Sequence, residues 1–388
     1  MTDPDVPAGP LAVAIDVSPV MDLPLTGVGY HVLGLIEALL ENANGFDIRL
    51  FAARSRHTPE SSFPFIRGFS QKRVVSHFRR LKTILWSRVN WPPIEWFTGR
   101  VDVAHGLFHD LPASRRARRL ATIHDLSFRL LPETHTRQTI ARETRLVQHC
   151  IRKADLMLAV SEQCRHDVHE AYKVPMDRIF VTPGGIRLDE FEPAPERLKT
   201  LRHKFGVDAP YFIYVGTIEP RKNLTRLIAA YARVRAKRND APLLVLVGRR
   251  GWDSEAVFKA ITNNRLQGAV LYLGYLARTD SLALLKGAEA CVYPSLYEGF
   301  GLPVLEAMAA RVAVVTSKAG ALLEVSGGHA LHVDATDVDG LTHALETVLD
   351  KQEAVQAMVA KARQRAETLT WSQSAARLAQ AYRLVAGA

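Results

Sequence analysis

YPSLYEGFGLPVLEAMAA, residues 293–310, passes from a short apolar run into a helical pattern through a glycine corner. Gly299 and Gly301 flank Phe300, and Pro303 suits the first turn of a helix. Two carboxylates, Glu298 and Glu306, stand on either side of the glycines. Lacking Cβ atoms, Gly299 and Gly301 let a ligand approach the main chain closely. The amides from Gly299 to Leu302, at the positive end of the helix, then form an anion site that suits a diphosphate. Glu306, expected in the first helical turn, can accept two hydrogen bonds from a ribose diol, and Glu298 would face whatever hangs from the other phosphate. A glutamate early in a helix is also a common solvated partner of the macrodipole, and Gly-x-Gly is a frequent turn. The stretch alone leaves both readings open.

Outward from this corner, similar units recur. YFIYVG (211–216), LLVLVG (243–248), VLYLG (270–274), ACVYPS (290–295) and VAVVTS (312–317) are short apolar runs separated by helical patterns. The first half repeats the arrangement with LAVAIDVSPV (11–20), IRLFAA (48–53), VDVAHG (101–106), LATIHD (120–125), LMLAV (156–160) and IFVTPG (179–184). Continuous apolar strands alternating with helices predict parallel sheets covered on both faces. GGIRLDEFEPAPERL (184–198) reads as a linker. The expected architecture is therefore α/β, two Rossmann-like doubly wound domains facing a cleft, at 1–190 and 191–370. WSQSAARLAQAYRLV puts Trp371, Ala375, Leu378, Tyr382 and Val385 near one helical face, so residues 371–388 are expected to pack back on the first domain.

A chain of 388 residues exceeds one ordinary core, and 47% apolar with 23% charged residues is globular. No apolar stretch reaches the ~18 residues a bilayer span needs. The start, MTDPDVPAGP, carries acids where a signal peptide needs bases, which reads as cytoplasmic. Cys150, Cys164 and Cys291 are too widely spaced for a disulfide framework or a zinc site and read as buried thiols. The net charge of +10 is concentrated: from Arg54 to Arg119 fourteen Lys and Arg face four acids, and the rest of the chain balances. That segment should meet something anionic.

A second motif bears on the first. YVGTIEPRKNLTRLIAAY (214–231) reads as strand, turn and helix, with Arg221 and Lys222 where the helix begins. Cations there oppose the helix dipole, so an anion should compensate, and the same diphosphate would. A solvated basic turn is the plainer alternative. With EGFGLPVLE, VGTIEPRKNL, the glycine loop TGVGYH (26–31) and TIHDLSF (122–128) in this order, the chain resembles the retaining glycosyltransferases of family 4, of GT-B fold. The likeness runs from about residue 11 to the C-terminal helix.

The resemblance implies roles by position. Glu306 would hold the ribose and Glu298 the donor sugar. Arg221 and Lys222 would neutralise the leaving diphosphate with the amides of Gly299, Phe300, Gly301 and Leu302, beside Gly216 of the donor motif. Gly27 and Gly29 would let the N-terminal loop approach the phosphates, and His124 would sit beside the reacting sugar. On sequence alone His124 fits a structural histidine equally well, and Asp125 a turn cap. The chain departs from the family at Thr217, where many members carry Arg, and at Ala310-Arg311-Val312-Ala313, where a Gly-x-Pro helix stop is usual. The resemblance also implies retention, with no enzymic nucleophile in view, and transfer of a hexose to a saccharide or lipid-linked saccharide in cell-surface polysaccharide synthesis, mannose from GDP-mannose being the first expectation.

No cofactor or metal is expected. The Asp-x-Asp pairs are Asp3-Pro4-Asp5 at the terminus and Asp337-Val338-Asp339, which reads as a helix cap. A nicotinamide dehydrogenase is disfavoured because Gly27, Gly29 and Gly34 have the wrong final gap. A sugar-nucleotide epimerase or hydrolase of similar shape, and an inactive nucleotide-sugar-binding scaffold, remain alternatives. In FRRLKTILWSRVNWPPIEWF (78–97), Phe78, Leu81, Ile84, Leu85 and Val89 share a helical face into which Lys82 and Arg88 fall. With Trp86, Trp91, Trp96 and the basic run 115–119, this suits docking on an anionic membrane, Lys82 and Arg88 snorkelling out of the face. Packing of that face on the first sheet is the alternative. Nucleic acid is not expected, since no recognition module accompanies the charge.

Overall fold

Short, mostly apolar runs form two parallel sheets in the computed structural model, which describes residues 9–21, 25–53, 72–75, 79–192 and 195–387. The first contains β1 (Leu11–Asp16), β2 (Phe46–Ala53), β3 (Lys72–Val75), β4 (Val103–Gly106), β5 (Arg118–Ile123), β6 (Leu156–Ala159) and β7 (Ile179–Val181), ordered β3-β2-β1-β4-β5-β6-β7. The second contains β8 (Tyr211–Val215), β9 (Leu243–Val247), β10 (Val270–Gly274), β11 (Ala290–Tyr293), β12 (Ala313–Ser317) and β13 (Leu331–Val333), ordered β10-β9-β8-β11-β12-β13. Every pairing is parallel. Both are doubly wound sheets, with the strand order reversing between β1 and β4 and between β8 and β11.

The chain divides into two compact units. One gathers the residues up to Pro132, Thr136–Gly185 and Trp371–Ala388; the other holds Glu133–His135 and Ile186–Thr370. The last helix, Trp371–Ala386, belongs to the first unit and packs on the helix Gly27–Glu41. A Cβ on Gly34 would come within 2.4 Å of the Trp371 indole, so the two helices meet through this glycine. Tyr382, on the same face, puts its hydroxyl 2.8 Å from His105 Nδ1. The three cysteines are buried free thiols.

Several local expectations need correcting. TGVGYH is not a loop throughout: the helix begins at Gly27, with Thr26 before it in extended backbone. Within the 184–198 stretch a helix already starts at Pro195. Asp337 does cap a helix, accepting from Gly340 N at 2.8 Å, whereas Asp3 and Asp5 lie outside the described residues.

The largest correction concerns the helix Arg79–Val89. Its apolar stripe faces outward, with Leu81 50% and Val89 61% exposed and Ile84 exposed as well. The face turned inward carries Lys82 and Trp86, both buried. Lys82 does not snorkel. Its ammonium pairs with Asp16 at the end of β1 and with Asp110 Oδ2 at 3.1 Å, and it lies 4.3 Å over the Trp86 ring. Burial opposes that charge, but Asp110 and Asp16 more than offset it and raise the Lys82 pKa. A buried cation met by two carboxylates and an aromatic face outweighs an untidy apolar stripe in setting the helix's rotation. Phe78 and residues 54–71 of the basic segment lie outside the described residues.

Candidate active site

In a doubly wound sheet the loops that follow the strands at the reversal point are set apart by adjacent strands whose connections leave in opposite directions. In the second unit those strands are β8 and β11, and they deliver the two motifs singled out above. After β8, Pro220–Lys222 makes a single 3-10 turn before the helix Leu224–Lys237. Asn223 joins them in the left-handed region at φ 60°, and its Nδ2 donates to Pro294 O at 2.9 Å and Ala335 O at 2.6 Å. The turn is thereby tied to the segment following β11.

That tie brings Arg221, Lys222 and Glu298 together. Lys222 Nζ lies 2.6 Å from Glu298 Oε1 and donates to the Tyr293 hydroxyl at 2.9 Å. Arg221 Nη1 sits 2.9 Å from Glu298 Oε2 and donates to Tyr297 O at 2.8 Å, while Nη2 reaches Glu219 at 3.0 Å. All three partners are buried or nearly so. Burial pushes the Glu298 carboxyl up, but Arg221 and Lys222 overcome it and hold the group at about 2. Burial and the neighbouring Arg221 lower the Lys222 pKa. At neutral pH Glu298 is thus a carboxylate that accepts hydrogen bonds or faces positive charge, not a proton donor.

The glycine corner folds as the spacing implies. Gly301 has φ 101° and precedes the helix Leu302–Ala309, with Pro303 in its first turn. Glu306 falls in the second turn rather than the first, since the first contains no acid. The N–H groups of Phe300, Gly301 and Leu302 have no hydrogen-bond partner among the described residues. Three such donors beside a helix N-terminus suit an anion. Gly216 lies next to the loop after β9: a Cβ on Gly248, whose φ is 143°, would stand 1.9 Å from Gly216 O.

Glu306 does not join the Glu298 cluster. Its Oε1 takes Arg278 Nη1 at 2.6 Å, and Arg278 Nη2 holds Glu190 Oε2 at 2.8 Å. Arg278 belongs to the helix Arg278–Lys286 that follows β10.

In the first unit His124 follows β5. Its Nε2 lies 2.7 Å from Leu107 O, which fixes the proton there. Its backbone N–H donates to His109 Nε2 at 3.0 Å, and His109 Nδ1 is 2.9 Å from Glu143 Oε2. Burial and His109 lower the His124 pKa to about 4, so the ring is neutral, with its lone pair on Nδ1. His31, in the helix that begins with Gly27 and Gly29, meets His124 edge-on at 5.0 Å, and its buried Nε2 has no hydrogen-bond partner among the described residues. Asp125 caps the next turn, accepting from Ser127 N and Oγ.

Comparison with known proteins decides the family. The description "Glycosyltransferase Family 4" fits residues 25–190 and "Glycosyl transferases group 1" fits residues 199–365. The chain belongs to glycosyltransferase family 4. O-antigen chain mannosyltransferase B of Escherichia coli is 29% identical over 377 residues, 93% of this chain and 97% of that protein. A glycogen synthase of Mycobacterium tuberculosis is 30% identical over 295 residues, 74% of this chain and 67% of that protein. Sucrose-phosphate synthase from Thermosynechococcus elongatus matches with a TM-score of 0.76, covering 97% of this chain and 99% of that one at 21% identity. Such neighbours carry the fold, which is GT-B.

Two departures of this glycosyltransferase from the pattern that the resemblance implies have local explanations. The missing Gly-x-Pro stop is replaced by Arg311, which enters the left-handed region at φ 59° and ends the helix without a glycine. Arg221 stands in the Glu298 cluster although Thr217 occupies the position where many members carry Arg. Arg278 was the residue missed by sequence reasoning. The signal for it was faint: a lone arginine at a helix start, opposing the dipole as Arg221 and Lys222 do.

Proposed function

We propose that this glycosyltransferase moves a hexose, with retention and without a metal, from a nucleoside diphosphate sugar to a saccharide or lipid-linked saccharide acceptor. The observation that carries the reading is the Arg221–Lys222–Glu298 cluster at the β8/β11 reversal, in the same corner as the unpartnered amides of Phe300, Gly301 and Leu302. Breaking a sugar–phosphate bond builds negative charge on the diphosphate and positive character on the sugar. Arg221, Lys222 and the amides would take the first, and Glu298, held ionised, the second and the sugar hydroxyls. Glu306 would hold the ribose diol. His124, neutral, would accept a hydrogen bond from the sugar through Nδ1. Gly27 and Gly29 would bring the N-terminus of their helix to the phosphates. GDP-mannose is the first candidate donor, supported by the likeness to the Escherichia coli O-antigen mannosyltransferase, and the corresponding process is cell-surface polysaccharide synthesis.

The test is a panel of GDP- and UDP-sugars scored for slow hydrolysis and for transfer to saccharide acceptors, with the product anomer read by NMR. Transfer with retention supports the proposal; free sugar formed at an undiminished rate in the presence of every acceptor favours the epimerase or hydrolase reading, and binding without turnover the scaffold. Glu298→Ala should lower kcat at least ~100-fold while nucleoside diphosphate affinity stays within about threefold. With no enzymic nucleophile in view, retention would come from front-face displacement with the leaving phosphate acting as base, and a covalent glycosyl-enzyme adduct would overturn it.

Attachment to an anionic membrane belongs to the same proposal. It is supported by the exposed Leu81, Ile84, Val89, Trp91 and Trp96 and by Arg115, whose guanidinium lies 5.7 Å over the Trp96 ring. An apolar and aromatic face with basic residues beside it is what an interfacial helix presents to anionic lipid.

A further inference from the structure

We infer that Arg278 is a positioning residue for nucleotide binding: it aims the Glu306 carboxylate, and the linker residue Glu190 in turn holds Arg278. The inference rests on the proposal that Glu306 takes the ribose diol.

The geometry is that of a planar bridge. The Nε and Nη2 edge of Arg278 faces Glu190, at 3.4 Å to Oε1 and 2.8 Å to Oε2. The remaining nitrogen, Nη1, reaches Glu306 Oε1 at 2.6 Å. One guanidinium therefore spans two carboxylates from distant parts of the sequence. Glu190 lies in the 3-10 turn Leu188–Phe191, a few residues past Gly185, where the chain leaves its first unit. Glu306 lies in the helix behind the glycine corner. The Glu306 side chain is 8% exposed, Arg278 22% and Glu190 33%, so the bridge runs from a buried end to a wetter one.

A carboxylate that accepts both hydroxyls of a vicinal diol must have its two oxygens in a fixed plane. Arg278 fixes that plane by holding Oε1, while Oε2 has no partner among the described residues. The rigid, always charged fork of arginine can do this from two sides at once, and the flexible ammonium of lysine cannot. Glu190 removes the freedom Arg278 would otherwise have, at a bend whose conformation belongs to the linker. Nucleotide binding and linker conformation are coupled through these three side chains.

The test compares calorimetric affinities of the full chain for GDP and 2′-deoxy-GDP, with UDP and 2′-deoxy-UDP in parallel. Wild-type protein is expected to prefer the ribonucleotide by ~10- to 100-fold, the weight of a hydrogen bond to a charged group. Glu306→Gln should bring that ratio below about threefold. Arg278→Met should do the same although it touches no nucleotide, and Glu190→Gln should reduce the ratio less. A purely structural role for Arg278 would weaken both nucleotides equally and leave the ratio unchanged, which overturns the inference. If wild type shows no preference, or Glu306→Gln keeps it, the ribose assignment fails and this inference with it. If Glu306→Gln loses the preference while Arg278→Met keeps it, the inference alone fails. Should Arg278→Met not fold, Glu190→Ala carries the test: a ratio reduced severalfold supports the bridge, an unchanged ratio overturns it.

Discussion

Glu298 and the histidines show opposite uses of burial. Desolvation works against the Glu298 carboxylate, yet two cations within hydrogen-bonding distance reverse its effect, so the charge is kept. Among the described residues no carboxylate stands within hydrogen-bonding distance of the His105 or His124 ring, and burial leaves both neutral, at about 3 and about 4. Both folded pKa values lie below the ordinary value near 6.5. Between about pH 6.5 and 4 the unfolded chain therefore binds more protons, and stability falls on acidification at ~1.4 kcal/mol per pH unit for each histidine. Glu298 behaves differently: its contribution is present above the usual carboxylate range and is lost only as pH falls through about 2. Four of the five tryptophans, Trp86, Trp91, Trp96 and Trp371, lie in the first unit and only Trp252 in the second, so urea unfolding followed by tryptophan fluorescence reports mainly on the histidine environment. The midpoint should drop between pH 6.5 and 4.5, and His124→Asn should flatten the slope. A midpoint flat across that window would contradict the assignment of buried neutral imidazoles.

Elements were legible in the sequence where burial is two-sided. The eleven strands read from continuous apolar runs all appear, while β3 and β13, at sheet edges with only KRVV and LHV, carried too little apolar pattern to be read. For the helix Arg79–Val89 the sequence left two readings of its apolar stripe, docking on a membrane or packing on the first sheet, and expected Lys82 to snorkel outward. The stripe is exposed and Lys82 is buried, because the face that docks depends on Asp16 and Asp110, contributed by β1 and by the segment after β4, and no local periodicity contains them. The consequence is measurable. Lys82→Ala leaves the buried Asp16 and the half-buried Asp110 without their cation and should cost ~3–5 kcal/mol of stability. The triple substitution Leu81→Ser, Ile84→Ser, Val89→Ser should change stability by less than about 1 kcal/mol, because these side chains are already in water. Chemical denaturation of the two variants distinguishes the arrangements, and the opposite ranking would restore the apolar stripe to the core.

For the molecule as a whole, the motifs of the candidate site were legible because they fall in short segments after strands at the sheet reversal: Arg221 and Lys222 after β8, Glu298 after β11. The Arg278 bridge was not, since its two carboxylates come from positions 190 and 306, far from residue 278 in sequence. No helix among the described residues is long and apolar enough to cross a membrane. Contact with lipid would instead be peripheral, through the outward face at residues 81–96. The protein should sediment with phosphatidylserine- or phosphatidylglycerol-rich vesicles at low salt and be released by added salt. The triple serine variant should stay in the supernatant, and wild-type protein doing so at low salt would remove the membrane from the account.

The central claim is that a sugar-bearing diphosphate is held in the second unit by Lys222, Arg221 and main-chain amides rather than by a divalent ion. Its most direct measurement is calorimetric binding of GDP-mannose, with UDP-glucose alongside, in excess EDTA. Wild-type affinity should be unchanged by the chelator, and Lys222→Ala should weaken binding by ~10- to 100-fold, the loss of a charge-assisted contact. Binding abolished by EDTA, or left intact in Lys222→Ala, would contradict it.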